Sequence, residues 1–227
     1  MKRGRRSRAN PLWRRFHRAG LRLIGHERYN LNVVSYLNFG QQRYKQVQFV
    51  SVSEARRVED ILRSTHGSGL FPTLIHRLEH TLWVRFVSGK SFAADDPEHL
   101  DAVYRFFAAL YAQQPRRVDL QETDLQERVR THIETLQEVG LLDADRARRL
   151  LKLAVDLEPE SVWVGLEYVD SLRRNLIVAE TGVVGIDIEA ARHEQLLGIG
   201  LAKARLRWLD EPTGPILERL TELGAPD

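Results

Sequence analysis

The sequence contains no cysteine and no long apolar run, and each absence excludes a class of protein. A chain without cysteine forms no disulfide framework and offers no thiolate as a nucleophile or metal ligand. No apolar stretch approaches the roughly 20 residues that span a bilayer, and arginines interrupt every short apolar run near the start of the chain. We therefore expect neither a membrane-spanning helix nor a secretory signal peptide, and we expect a cytoplasmic protein.

Common catalytic signatures are missing or misplaced as well. The eight histidines include one His-x-x-x-His spacing with an acid, His76 and His80 with Glu79, but His76 falls in a predicted strand and not on a helix, where that spacing would bring the two rings together, so a zinc enzyme is not indicated. Neither a Gly-x-Ser-x-Gly elbow nor a Gly-x-x-x-x-Gly-Lys phosphate loop is present. The chain is nevertheless long enough, at 227 residues and 43% hydrophobic, to bury the core of one two-lobed domain or of two small ones.

Positive charge is concentrated at the N-terminus. Residues 1–28 contain ten Lys and Arg and one acid, a net charge of +9, whereas the rest of the chain carries −6. From Pro11 onward, Leu12, Phe16 and Leu23 recur at helical spacing, so we expect a basic amphipathic helix. Such a segment suits an anionic membrane surface, a nucleic acid or plain exposure to solvent. Because the acidic body would repel a polyanion, we favour the inner membrane surface or a solvated tail over nucleic acid.

The pattern of apolar residues predicts strands with one helix, then mainly helices. The predicted strands cover residues 33–37, 44–50, 74–77, 82–87, 161–166, 176–178 and 183–188, and the predicted helices cover 54–64, 98–113, 122–139, 143–156, 194–209 and 213–223. This order predicts an α+β chain. We expect a basic arm with an amphipathic helix over 1–28, an antiparallel sheet with one helix over 29–89, and a mainly helical part over 90–227.

The residues that suggest chemistry are Asp170, Asn175 and Asp187. Asp170 stands in a loop, Asn175 opens the next predicted strand, and Asp187 ends the strand that follows. Because a β-hairpin of this length folds back on itself, we expect Asp187 near Asn175, where carboxylate and amide oxygens suit Mg²⁺. Phosphoryl transfer from a nucleotide needs such a metal site and a carboxylate that orients the acceptor hydroxyl. The ordinary interpretation is that these residues cap turns.

This pattern resembles a known family. Asp170 and Asn175 in the spacing Asp-x-x-x-x-Asn, followed by Ile-Asp-Ile-Glu at 186–189, are similar to the catalytic and metal-binding loops of the protein-kinase-like fold. The nearest branch comprises small-molecule phosphotransferases: aminoglycoside phosphotransferases, choline-kinase-like enzymes and lipopolysaccharide-core sugar kinases. The resemblance implies a bilobal fold with a small β-rich N-lobe and a mainly helical C-lobe. It also implies ATP and Mg²⁺ as cofactors, Asp170 as the catalytic residue, and Asn175 and Asp187 as metal ligands.

The resemblance further implies nucleotide-binding residues in the N-lobe. Lys45 would position the phosphates, and Glu59 would pair with it from the predicted helix. The run Leu-Trp-Val-Arg-Phe-Val-Ser-Gly at 82–89 is similar to the hinge that touches adenine through its backbone, which assigns Phe86 and Val87 to the nucleotide site. The ordinary interpretation of Lys45 is a solvated lysine on a strand edge, and that of Glu59 is an exposed helix residue.

Other positions depart from the family pattern. Tyr168 stands where the family usually has histidine, and Gly40 is alone where several glycines are common. In another alignment Gln48 replaces Lys45, which would remove the cation from the phosphate site. These departures keep a second hypothesis open, a catalytically weakened kinase-like protein with a binding or regulatory role. A third hypothesis is an unrelated protein that binds nucleic acid through its arginine arm.

Three charged residues near the predicted loops each have two interpretations. Glu189 is either a second acid beside the metal or a surface residue, and Arg173 and Arg174 either bind an anionic acceptor or lie in solvent. The favoured hypothesis is an ATP- and Mg²⁺-dependent kinase that phosphorylates a hydroxyl of a small molecule or of a lipid-linked sugar. In the lipid-linked case, residues 1–28 would hold the enzyme at an inner membrane surface.

Overall fold

The computed structural model describes residues 32–226. The strands are β1 (Val33–Phe39), β2 (Gln42–Gln48), β3 (Leu74–Leu78), β4 (Thr81–Arg85), β5 (Lys90–Ser91), β6 (Arg116–Asp119), β7 (Ser161–Tyr168), β8 (Leu176–Ala179), β9 (Gly182–Gly185) and β10 (Ala191–Leu196). The helices are α1 (Val52–Ser64), α2 (Pro97–Tyr111), α3 (Leu125–Glu138), α4 (Ala144–Asp156), α5 (Ile199–Arg207) and α6 (Thr213–Glu222). The mixture of strands and helices confirms the predicted α+β class.

The described chain divides into two compact units that interleave along the sequence. Unit 1 consists of residues 32–106 and 170–191, and unit 2 of residues 107–169 and 192–226. The segment with the predicted catalytic and metal-binding residues therefore belongs to the same unit as the N-terminal strands. The division by chain order that the sequence suggested is a different grouping and stays a prediction.

Unit 1 is built on a four-stranded antiparallel sheet in the order β1-β2-β4-β3. A tight turn joins β1 to β2, because Phe39 pairs with Gln42 across only two residues. Gly40 in this turn has φ +58°, a left-handed conformation that glycine adopts at little cost. In β2, Val47 and Phe49 beyond its end are buried on the face that Lys45 shares by alternation, as the sequence predicted.

Helix α1 packs against β3 and β4. Its N-cap is Ser51, whose hydroxyl accepts a hydrogen bond from the Glu54 amide at 3.2 Å. The helix begins at Val52, two residues before the predicted start at residue 54, because the extended backbone of Ser51 places its hydroxyl at the cap. The buried residues of α1 are Ala55, Val58, Glu59, Ile61 and Leu62. Their spacing of three and four places them on one stripe of the helix.

A second sheet of unit 1, in the order β5-β8-β9, holds the loops of interest. Leu176 at the start of β8 pairs with Gly185 at the end of β9, so the chain entering β8 and the chain leaving β9 lie side by side. The strand β5 can approach closely because Gly89 precedes it: a Cβ there would lie 2.3 Å from the Val178 carbonyl oxygen.

Unit 2 contains a three-stranded sheet in the order β10-β7-β6 and the helices α3 to α6. The end of β7 is fully buried, including Leu166, Glu167 and Tyr168. The helical pair α3 and α4 buries little, with Ile133 and Ala147 as its buried residues. No helix of the described part is both long and apolar enough to cross a bilayer.

Some predicted elements need correction. The predicted helix over 194–209 is wrong in its first part, since residues 191–196 form β10 beside β7 and the helix begins only at Ile199. The predicted strand over 183–188 is too long, because β9 ends at Gly185 and a 3-10 turn follows. The short strands β5 and β6 were not predicted. The amphipathic helix predicted from Pro11 lies outside the described residues.

Candidate functional site

Two loops of unit 1 bring Asp170, Asn175 and Asp187 together. The Asn175 Nδ2 atom lies 3.0 Å from the Asp170 carbonyl oxygen and 3.3 Å from Asp187 Oδ2. The loop backbones are also joined, because the Ile186 amide donates to the Asn175 carbonyl at 2.9 Å. Asn175 is buried, and the two aspartates are half-buried. The expected proximity of Asn175 and Asp187 is thus observed; their roles are a separate question.

A short turn fixes the first loop. The Leu172 amide donates to the Asp170 carbonyl at 2.9 Å, and the Asn175 amide donates to the Leu172 carbonyl at 2.8 Å. These bonds hold the Asp170 backbone while its carboxylate stays partly accessible. Arg173 and Arg174 lie exposed in the same turn, so both guanidinium groups can meet a ligand from solvent.

Lys45 reaches the second loop from the sheet. Its Nζ atom donates to the Ile186 carbonyl at 2.7 Å. From this position the ammonium favours the charged forms of Asp187 and Glu189. The positive charge beside the carboxylates therefore comes from Lys45, the residue that the resemblance assigns to the phosphates, and not from the alternative position Gln48.

Asp187 and Glu189 titrate as a pair. Burial, followed by the hydrogen bond and the charge of Glu189, raises the pKa of Asp187 to about 7. Lys45 opposes this shift and Asp170 adds to it. Burial would also raise the pKa of Glu189, but the hydrogen bond from Asp187 and the charge of Lys45 hold it below its usual value. Two carboxyl groups this close share a proton that a divalent cation can replace.

Two neighbours of this pair were not singled out from the sequence. Asn32 Nδ2 donates to Glu189 Oε1 at 3.2 Å, so Glu189 faces the site instead of solvent. Arg57 of α1 donates to the carbonyl oxygens of Ala191 and Glu189, which ties the helix to the loop. The only indication in the sequence that Arg57 has a role was its position next to Val58, which lies on the apolar stripe of the predicted helix.

The structure gives Glu59 different partners from the expected one. Its carboxylate is paired with Arg77 of β3 and, at 2.8 Å, with Arg63 of α1. Burial would raise the pKa of Glu59, yet the hydrogen bonds and charges of Arg77 and Arg63 hold it below its usual value. In the described part of the chain Lys45 and Glu59 form no ion pair, because Lys45 is bonded to Ile186 instead.

Phe86 and Val87 follow β4, as expected for a hinge. The Phe86 amide donates to the Arg43 carbonyl at 3.0 Å, and the Phe86 ring meets the Tyr36 ring edge-on at 5.8 Å. Both residues also line a cavity of about 900 Å³ whose wall includes Lys90, His99 and the turn 178–182.

That cavity is distinct from the carboxylate cluster. Its lining residues include none of Lys45, Asp170, Asn175 and Asp187. Its charged groups, which include Arg85, Lys90, Glu98 and Glu180, are of mixed sign. We therefore place the candidate active site at the two loops and not in the cavity.

Unit 2 has a buried acid of a different kind, Glu167 of β7. Its Oε2 accepts from the Gly198 amide at 2.7 Å and its Oε1 from the Tyr168 amide at 2.8 Å. The amides of Ile199 and Gly200 contribute as well, so the carboxyl group caps the start of α5. Burial outweighs these hydrogen bonds and raises the pKa of Glu167 to about 7. An acid inside an otherwise apolar strand was the sequence signal for it.

The donor set of the loops suits a divalent cation that is shared with a phosphate. Mg²⁺ in phosphate sites takes one or two carboxylates together with phosphate oxygens, and Asp187 and Asn175 offer such a partial set. Within residues 32–226 no three His, Cys, Asp or Glu side chains are grouped to hold a metal ion alone. Burial and the neighbouring charge of Glu189 raise the pKa of Asp187, and a bound cation would favour its charged form.

The fold matches solved small-molecule kinases although the sequences have diverged. A macrolide 2′-phosphotransferase from Brachybacterium faecium matches 86% of this chain over 74% of its own, with a TM-score of 0.58 and 13% identity. An ethanolamine kinase from Plasmodium vivax matches 96% over 76%, with a TM-score of 0.56 and 12% identity. A choline kinase from Streptococcus pneumoniae matches 94% over 81%, with a TM-score of 0.54 and 15% identity. The chain has the kinase-like fold of small-molecule phosphotransferases.

No protein-family model and no curated protein sequence matches the chain. At identities of 12–15% the likeness establishes the fold alone. The resemblance inferred from the loops around Asp170 and Asp187 is thereby confirmed at the level of the fold. Within this kinase-like fold, function has to be argued from the site.

Proposed function

We propose that the protein is a phosphotransferase that uses ATP and Mg²⁺ to phosphorylate a hydroxyl group of a small molecule. The observation that carries the proposal is the convergence of Asp170 and Asp187 on the buried amide of Asn175. A kinase-like fold supports it, because phosphoryl transfer requires little beyond positioning and charge stabilisation by such groups.

In this proposal Asp187 and Asn175 hold the metal. The cation held there would supply the positive charge that offsets the charge developing on the phosphates. Asp187 would give up the proton that it shares with Glu189, which remains as a second acid beside the site. Asn175 would offer its amide oxygen to the cation while its Nδ2 keeps the hydrogen bond to the Asp170 carbonyl at 3.0 Å.

Asp170 is proposed to orient the acceptor. Its half-buried carboxylate would accept a hydrogen bond from the attacking hydroxyl and take up the proton as the bond to phosphorus forms. The hydrogen bonds from Leu172 and Asn175 to the Asp170 carbonyl hold this residue in place. Arg173 and Arg174, exposed in the same turn, would attract an anionic acceptor or its phosphorylated product.

Lys45 is proposed to position the phosphates. Its ammonium is fixed beside Asp187 by one hydrogen bond to Ile186 and keeps two further N–H donors for phosphate oxygens. Glu59 would support the site indirectly, since it ties α1 to β3 through Arg77. Phe86 and Val87 would border the base through their backbone.

The acceptor is proposed to be a small molecule with a free hydroxyl. The solved structures with this fold include kinases named for macrolide, ethanolamine and choline, which supports that class. A lipid-linked sugar is the narrower proposal, with residues 1–28 on an anionic membrane. Liposome co-sedimentation with and without residues 1–28 tests it, and equal pelleting of the two proteins would refute it.

A second candidate is a kinase-like protein that binds nucleotide with little or no transfer. Two observations favour it: fully buried Tyr168 stands where the family usually has histidine, and Glu59 is paired with Arg63 and Arg77. Such a protein would still show a metal-dependent response to nucleotide but no turnover.

The deciding experiment is phosphate transfer to a panel of aminoglycosides, macrolides, choline-like alcohols and sugars. We expect transfer by the wild type and a drop of about 10²- to 10⁴-fold in Asp170→Asn, because the base is lost. Asp60→Asn, an exposed acid of α1, is the matched control and should retain full activity. Turnover that survives unchanged in Asp170→Asn would refute the proposed role, and nucleotide binding without turnover would favour the second candidate.

A further inference from the structure

An arginine packs against two aromatic rings on the sheet of unit 1. The Arg43 guanidinium carbon is 4.2 Å from the centre of the Phe86 ring and 5.1 Å from that of Tyr36. The two rings meet edge-on, so the guanidinium packs against both. Stacking of this kind holds the planar group in one orientation.

This stack lies on the same face of the sheet as Lys45. Tyr36 is directly opposite Lys45 in the β1–β2 pairing, and Arg43 precedes Lys45 by two residues, which places the two side chains about 7 Å apart on one face. Phe86 lies across from Arg43, as the hydrogen bond from its amide to the Arg43 carbonyl shows. A ligand that touches Lys45 with its phosphates can therefore reach Arg43 with its base.

The side chain of Arg43 is accessible to solvent. Arg43 is exposed, and Tyr36 is 50% exposed. Throughout residues 32–226, no carboxylate pairs with Arg43. A fixed guanidinium whose N–H donors are uncommitted is a recognition group and not a closed structural bridge.

The chemistry of these donors discriminates between purine bases. Two adjacent N–H groups of arginine match two adjacent acceptors, and guanine presents O6 and N7 side by side. Adenine presents N7 beside the N6 amino group, which is itself a donor and would oppose a second arginine N–H. Arg43 thus fits the edge of guanine and not that of adenine.

We propose that Arg43 reads the base of the phosphate donor and makes the protein prefer a guanine nucleotide over an adenine nucleotide. This inference rests on the proposed function, since it takes the phosphates to lie at Lys45, and it replaces ATP as the phosphate donor by a guanine nucleotide. Tyr36 and Phe86 are the positioning residues that hold the guanidinium flat.

The test is a binding titration of the full chain with Mg²⁺–GTP, Mg²⁺–ATP and Mg²⁺–ITP. We expect GTP to bind roughly 10- to 100-fold more tightly than ATP. ITP, which keeps O6 and N7 but lacks the 2-amino group, should bind like GTP. Equal or tighter binding of ATP by the wild type would overturn the inference, and so would ITP behaving like ATP.

Two variants of Arg43 sharpen the result. Glutamine pairs with the N6 and N7 atoms of adenine, so Arg43→Gln should reverse the preference. Arg43→Lys keeps the charge and can still donate to O6 and N7 of guanine, but it loses the planar fork that the rings hold, so the preference for guanine should shrink without reversing. Because Arg43 is exposed, both variants should melt at the wild-type temperature, which is checked in parallel. An unchanged ratio in Arg43→Gln would overturn the inference.

The outcomes distinguish a failure of this inference from a failure of the proposed phosphotransferase function. Binding of both nucleotides with equal affinity would refute base selection and leave the phosphotransferase proposal standing. Failure of every nucleotide to bind in the presence of Mg²⁺ would refute both.

Discussion

Two acids of this protein share a raised pKa but lie in different surroundings. Asp187 in unit 1 and Glu167 in unit 2 each have a pKa of about 7, and in both the largest cause is burial. Around Asp187 stand further ionisable side chains, including Glu189, Asp170 and Lys45. Around Glu167 stand backbone amides, whose donors are already satisfied by its two oxygens.

The comparison teaches that a shifted pKa does not by itself mark a functional site. The carboxyl group of Glu167 accepts hydrogen bonds from the backbone amides at the start of α5, so its role is to stabilise the fold. Asp187 is surrounded by groups whose charges remain unbalanced without a ligand. We therefore expect changes at Asp187 to affect binding and turnover, and changes at Glu167 to affect stability.

The largest effect is expected from Asp187→Asn. Loss of the carboxylate that is proposed to bind the metal should lower turnover by at least about 100-fold, since a metal contributes several kcal/mol to the transition state. The free energy of unfolding should not fall, because the change removes a negative charge from beside Glu189 and Asp170. Turnover and urea denaturation measured on one preparation check both expectations. A variant that loses stability in proportion to activity would place Asp187 in the same class as Glu167.

The opposite outcome is expected from Glu167→Ala. Removing the carboxyl group leaves the amides of Tyr168, Gly198 and Gly200 buried without their acceptor, so we expect a loss of about 3 kcal/mol in the free energy of unfolding. Glu167→Gln keeps one acceptor oxygen and should lose less. Urea denaturation of the three proteins gives the order, and equal stability of wild type and Glu167→Ala would contradict the capping role.

A smaller effect is expected at Gly200, which lies against the same carboxyl group. A Cβ there would lie 2.2 Å from the Tyr168 carbonyl oxygen and 2.8 Å from Glu167 Oε1. Gly200→Ala should therefore cost about 1–3 kcal/mol by overpacking. Gly214→Ala in α6 is the matched control, since a Cβ there meets nothing within 4 Å, and it should be neutral or slightly stabilising. Thermal melting of both variants tests the contrast, and it fails if the two melt alike.

A further effect is a pH dependence that belongs to Glu167. Its pKa is 4.5 in the unfolded reference and about 7 in the folded protein, so between these values the folded protein holds a proton that the unfolded chain does not. The contribution of Glu167 to the free energy of unfolding therefore falls as the pH rises from about 4.5 to 7. The Tyr111 hydroxyl, whose pKa burial and Glu167 raise well above its usual value, stays protonated in this range.

Subtracting the free energy of unfolding of Glu167→Gln from that of the wild type at each pH isolates the contribution of Glu167. The contribution of Asp187 is common to both proteins and cancels in the difference. The stability advantage of the wild type over Glu167→Gln should shrink across the window. A difference that is constant, or that grows with pH, would contradict the assignment.

The sequence predicted the site in unit 1 better than the one in unit 2. Asp170, Asn175 and Asp187 were found because their separation along the chain matches a loop and a hairpin, which are local structures. The pairing of Glu59 with Arg77 depends on how α1 packs on β3, and no spacing reveals that. The role of Glu167 depends likewise on a helix that begins at Ile199, far along the chain.

The same distinction explains the misplaced elements. Residues 194–196 have helix-forming side chains, yet they pair as β10 because tertiary contacts with β7 override local propensity. Gly198, with φ +96°, then separates the strand from α5. Elements as short as β5 carry too few residues for any periodicity to show.

The central claim is that Asp187 and Asn175 hold a divalent cation on a nucleotide. Mn²⁺, a paramagnetic substitute for Mg²⁺, can be titrated in the presence of a non-hydrolysable nucleoside triphosphate and followed by electron paramagnetic resonance. We predict nucleotide-dependent Mn²⁺ binding by the wild type and by Asp60→Asn, and its loss in Asp187→Asn. Equal Mn²⁺ binding by Asp187→Asn and the wild type would contradict the account.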